Sequence, residues 1–127
     1  MFRKIDNLLL RVGDLDTAIA FYGQALGHRL VWRTDEAAGF ALPDSEAELV
    51  VHTKIGPETD LLVENVELAV AFFETAGGKV LAPPFDIAIG KCAVVQDPFG
   101  NVLVMLDQTK GKLQTDAEGR VTGIEPR

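Results

Sequence analysis

Sliding the chain along itself by 51 residues lays residues 7–30 over residues 58–81, and eight of the twenty-four superposed positions are identical. Composition alone would give about one or two such matches. The identities include Leu10/Leu61, Val12/Val63, Phe21/Phe72 and Gly27/Gly78, and no gap interrupts them. A duplication of this kind restricts the chain to architectures made from two copies of one supersecondary unit.

Within each copy the apolar period changes from two to 3.6. Leu8, Leu10 and Val12 alternate with Asn7, Leu9 and Arg11, as Leu61 and Val63 do with Asp60 and Leu62, which predicts a strand with two different faces. Asp14 and Asn65 then stand as matched N-cap candidates. Behind them Leu15, Ala18, Ile19, Tyr22 and Leu26, and Val66, Ala69, Val70 and Phe73, run at helical spacing. Gly27 and the Gly77-Gly78 pair supply a positive-φ residue to end each helix. Strand-like runs follow at 29–33, 39–42 and 48–53, and at 79–82, 91–96 and 102–107. Asp35-Glu36, Pro43-Asp44-Ser45, Pro83-Pro84 and the turn at 97–101 break them.

Both copies therefore read βαβββ, as repeat one (4–53) and repeat two (58–107) of a single domain spanning 1–127. The linker at 54–57 is too short to separate independent domains, and neither half can bury both faces of its sheet alone. The extension at 108–127 carries only Leu113, Val121 and Ile124 as sizeable apolar anchors, and reads as a small hairpin or a frayed terminus.

Charge and composition exclude several functions. A net charge of −7 repels phosphate backbones, so nucleic acid is not an expected partner. No apolar run approaches the roughly 20 residues of a membrane-spanning helix, and Cys92 is the only cysteine, so a cytoplasmic location is expected.

Two βαβββ units opened by such strands, running into Asp14-Leu15-Asp16-Thr17-Ala18 and Phe21-Tyr22, with Asp97-Pro98-Phe99-Gly100-Asn101 before the last strand, resemble the vicinal oxygen chelate superfamily. That family includes glyoxalase I, extradiol dioxygenases and bleomycin resistance proteins. The resemblance covers about residues 4 to 107. It implies an α+β fold in which the strands form a cupped half-open barrel around a ligand cavity, commonly in a homodimer.

The resemblance also implies one divalent ion held by inward-facing residues of four strands, usually His or Glu, with open positions for two vicinal oxygens of a substrate. Such an ion acts as a Lewis acid. Here those positions fall on Asn7, near His52, on Glu58 and on Val104. Only His52 and Glu58 are strong ligands, whereas a catalytic zinc site takes three. No cofactor is therefore expected. The alternative is a single divalent ion on His52 and Glu58, helped by Asn7 or Asp60, in a lyase, isomerase or dioxygenase.

Other chemistries have less support. Ser45 is the only serine and sits in a turn, Cys92 reads as a buried thiol, and no glycine-rich loop opens a helix to cradle phosphate. The favoured reading is a metal-independent small-molecule-binding protein. Trp32, Phe40, Phe85 and Phe99 are its expected cavity walls and Asn7 and His52 its polar fixtures, with a cationic guest suited to the acidic charge.

Overall fold

The computed structural model describes all residues, 1–127. It divides into two compact units, one made of Asp6–Thr59 with Gln114–Gly123, the other of Met1–Ile5, Asp60–Leu113 and Ile124–Arg127. The division falls close to the boundary between the repeats.

The first unit contains β1 (Lys4–Arg11) from Asp6 onward, α1 (Leu15–Ile19), β2 (Leu30–Arg33), β3 (Ala37–Leu42) and β4 (Ser45–His52). Its strands lie in the order β2-β3-β4-β1, with β1 parallel to β4 and the other pairs antiparallel. Asp14 caps α1 as its sequence position predicts, its carboxylate accepting from the Thr17 amide at 2.9 Å. The helix then widens into one π-helical turn, Ala20–Ala25, where the Leu26 amide reaches the Phe21 carbonyl five residues back. Gly27 closes it at φ 83°. Leu15 and Ala18 of the helix pack on Ala38, Phe40 and Val51 of the sheet, the apolar burial that holds this half together.

The second unit repeats the plan with β5 (Glu58–Leu62) from Asp60 onward, α2 (Val66–Thr75), β6 (Lys79–Ile87), β7 (Gly90–Gln96) and β8 (Val102–Leu106), in the order β5-β8-β7-β6. Again the first and last strands pair in parallel. Asn65 caps α2 by accepting from Leu68 N, and Gly77 takes the positive φ after it. Val66, Ala69 and Val70 pack on Ala93, Val95 and Met105.

Two of the boundaries that differ from the sequence expectation have a clear local cause. β6 does not stop at Pro83-Pro84 but continues to Ile87. It is the edge strand of its sheet and its register slips between Ala82 and Phe85, so neither proline has to donate to a ladder. β4 starts at Ser45 rather than Glu48, because Leu42 pairs directly with Ser45 and the turn shrinks to Pro43-Asp44. The extension forms the hairpin option, β9 (Gly111–Thr115) with β10 (Val121–Pro126), and the Gly119 carbonyl at its tip accepts from Arg33 N at 2.8 Å.

One buried carboxylate ties the second unit together. Asp107, 1% exposed, accepts from Val66 N (2.8 Å) at the start of α2, from Lys91 N (2.9 Å) on β7, and from the Thr109 amide (3.2 Å) and hydroxyl (2.7 Å). Burial alone pushes this carboxyl up, but the donors of Val66, Thr109 and Lys91 together outweigh it and hold the group below the ordinary carboxylate value. Gly90 makes room for it, since a Cβ there would lie 2.1 Å from Asp107 Oδ1.

Candidate functional site

Strand register decides which side chains share a face, because directly paired residues point the same way. In the first unit Phe40 pairs with Leu49 and Ala38 with Val51, and these four face the helix. The alternate set faces the other way. Asn7 pairs with Glu48, Leu9 with Val50 and Arg11 with His52 across β1 and β4, while Gly39 pairs with both Val50 and Trp32.

On that second face Trp32 is held in one arrangement. Its indole lies against Gly39, where a Cβ would come within 2.0 Å of Nε1, 2.6 Å of Cε2 and 2.7 Å of Cδ1. No residue with a side chain fits beneath the ring, which is why glycine interrupts this strand. The indole N–H donates to Glu48 Oε1 at 2.7 Å. A register shift between Leu30 and Trp32 lets Leu30 join the helix-side core while Trp32 occupies the opposite face. Asn7, buried beside Glu48, donates from Nδ2 to Asp6 Oδ2 at 2.9 Å. The result is an aromatic plate with a carboxylate at its polar edge and a carboxamide next in register, on a floor of Leu9 and Val50.

His52 shares this face but its ring is committed locally. Nδ1 accepts from Lys54 N at 3.0 Å and Ile55 N at 3.3 Å, so the neutral ring carries its proton on Nε2 and presents a donor there. Neither nitrogen then offers a free lone pair to a cation.

The other expected site residues are dispersed. Phe40 is fully buried in the helix-side core, packed against Tyr22 at 6.1 Å between ring centroids, and is therefore not a wall of the face that carries Trp32. Glu58 begins β5, half-buried, and Asp60 two residues on is buried. In the second unit Asp60 pairs with Val104, and Phe85 pairs with Cys92 on the face turned away from α2. Phe85 is partly exposed there. Phe99 stands 88% exposed in the turn before β8, where Asp97 accepts from the Phe99 and Asn101 amides.

The donor set does not fit a divalent ion of the kind the resemblance implies. Val104 offers no donor atom, Asn7 offers a carboxamide, and the His52 lone pair is engaged by two amides. No three His, Cys, Asp or Glu side chains converge as metal ligands would.

Alternation along β4 puts Glu48 on the face of His52, but Gly39 is the residue whose type points to the Trp32 arrangement. A single glycine inside a strand is a signal of close approach, and here the approaching group is the indole.

Comparison with known proteins agrees with the architecture. The family model described as "Glyoxalase/Bleomycin resistance protein/Dioxygenase superfamily" matches residues 4–105. A probable lactoylglutathione lyase, chloroplastic, from Arabidopsis thaliana is 25% identical over 126 residues, covering 84% of this chain. The chain spans 36% of that relative's length. Methylmalonyl-CoA epimerase from Mycobacterium tuberculosis superposes with a TM-score of 0.69 at 20% identity, covering 84% of this chain and 88% of its own. The Mn(II)-bound glyoxalase from Novosphingobium aromaticivorans does so with a TM-score of 0.60 at 20% identity, covering 84% and 39%. At these identities the superpositions establish a shared fold.

Proposed function

Because the chain belongs to the glyoxalase/bleomycin resistance protein/dioxygenase superfamily, we propose that it binds a small organic cation without a metal, on the Trp32 face of its first unit. The observation that carries this reading is the indole fixed over Gly39 with Glu48 at its edge. An aromatic plate attracts a cation through its ring quadrupole, a contact worth about 0.5–2 kcal/mol, and a neighbouring carboxylate adds charge complementarity. The net charge of −7 raises the local concentration of such a guest. Asn7 supplies a polar fixture next to Glu48, and Leu9 and Val50 the apolar floor.

This reading is favoured over a divalent-metal-dependent lyase, isomerase or dioxygenase because Asn7 and Val104 stand at two of the implied ligand positions and the His52 Nδ1 lone pair is engaged by two backbone amides. Trp32 is the only tryptophan, so its emission reports the site directly. Titration with N-methylquinolinium in the presence of a chelator should quench that emission saturably. Glu48→Gln should weaken the cation about tenfold, equivalent to about 1.4 kcal/mol, while leaving neutral quinoline unaffected. Equal affinity of the cation for both proteins would remove Glu48 from the account.

A further inference from the structure

A second binding surface lies wholly within the second unit. The outer side of α2 leaves Leu68 72% and Phe72 65% exposed, and with Met1 and Ala69 they line an open trough of about 580 Å³. Large apolar side chains grouped at one surface cavity mark an interaction site more often than do the same residues scattered singly. Adjoining it is a second cavity of about 350 Å³, lined by Arg3, Lys112, Arg127 and Gln108. The two share Val63, Glu64 and Arg127 as walls, so they lie side by side. Both volumes fall within the usual range for small-molecule sites.

The charge of the second cavity runs against that of the chain. Three of the twelve cationic side chains line it in a protein of net charge −7. The single acidic side chain among its lining residues, Glu64, meets Arg3 only at 3.9 Å, with both side chains well exposed. Such a pair contributes little and leaves the guanidinium available to a better-placed anion. Arg127 reaches the Gln108 carbonyl at 3.5 Å, a long contact that an anionic group would replace with a charge-assisted one.

We propose that this composite surface binds an amphiphilic carboxylate, its alkyl chain along Leu68 and Phe72 and its headgroup between Arg3, Lys112 and Arg127. The occupant follows from the juxtaposition. An apolar trough alone would accept any greasy partner, but one opening onto a basic cavity selects a molecule with an anionic head and an apolar tail. The proposal is independent of the Trp32 site, which lies in the other unit and is formed from other residues.

The test is calorimetric titration of the full chain with monomeric decanoate, alongside acetate as the headgroup alone and decyltrimethylammonium as the tail with the opposite charge. Decanoate should bind saturably and acetate should not. The double variant Arg3→Glu/Lys112→Glu should weaken decanoate at least about tenfold, and Phe72→Ser by a similar factor, with unchanged melting temperatures because all three positions are on the surface. Decyltrimethylammonium should bind the wild type more weakly than decanoate does, and Arg3→Glu/Lys112→Glu should not weaken it further, whereas Phe72→Ser should weaken it through the tail the two ligands share. Absence of decanoate binding would overturn the proposal, as would unchanged affinity in the double variant. So would a dimer-to-monomer change on Phe72→Ser, which would make the trough an interface between copies.

Discussion

Replacing Asp107 by alanine removes one acceptor from four donors at once, and its cost can be worked from the contacts. The amides of Val66 and Lys91 and both donors of Thr109 lose their partner, and Val66 is fully buried, so water does not reach its N–H. A buried donor left unmade costs about 1–3 kcal/mol. Thr109 is exposed, so its amide and hydroxyl can both turn to water, the amides of Val66 and Lys91 dominate, and the expected loss is about 3–5 kcal/mol. That is a large share of the roughly 6–19 kcal/mol available to a chain of this length. It corresponds to a fall in melting temperature of about 11–19 °C.

The effect should also depend on pH, with a definite sign. Hydrogen bonding holds the folded carboxyl below its unfolded value, so the charged form is favoured by folding. The stabilisation is complete above the unfolded value of about 3.9 and is lost as pH falls through the folded value. Urea denaturation of wild type and Asp107→Ala, followed by far-ultraviolet circular dichroism at pH 7 and again below pH 3.5, separates this contribution from other titrating groups by difference. The gap between the two proteins should be widest at pH 7 and narrow in acid. A gap under about 1 kcal/mol at neutral pH, below the cost of one orphaned amide, would refute the reasoning, as would a gap that does not change with pH.

Further outcomes follow from the same packing. Gly39→Ala drives a methyl group into the indole, so it should displace Trp32, red-shift its emission and abolish N-methylquinolinium quenching, at a cost of about 1–3 kcal/mol in urea denaturation. Phe40→Ala should cost about 3–5 kcal/mol by emptying the helix-side core, measured the same way. His52→Ala removes the acceptor of the Lys54 and Ile55 amides in a solvent-accessible turn and should destabilise by about 1 kcal/mol in the same assay.

The repeat made most of the fold legible, because strand, cap, helix and closing glycine recur together. Asp14 and Asn65 cap their helices as their positions predicted, and Gly27 and Gly77 take the positive φ. Periodicity within a strand, however, says nothing of which alternate set faces the helix. Phe40 was therefore expected beside Trp32, whereas the bulge at Leu30/Trp32 and the register against β4 place them on opposite faces. The pairing of Asn7 with Glu48 is a long-range choice between parallel strands, and nothing local to either segment encodes it. In the sequence Asp107 is only the residue that ends a strand, since its partners come from segments 41 and 16 residues away as well as from the adjacent turn. The dispersal of the metal positions was half legible. The substitution by Val104 was visible in the sequence, while the engagement of His52 by the amides of its own turn required the backbone to be placed.

The central claim, an organic-cation site that works without metal, is tested most directly by one calorimetric experiment on chelator-stripped protein, titrated first with Mn²⁺ and then with N-methylquinolinium. The account predicts no saturable micromolar Mn²⁺ binding and a cation isotherm that is the same with and without added Mn²⁺. Micromolar Mn²⁺ binding that disappears in His52→Ala, or cation binding that appears only after the metal is added, would contradict it.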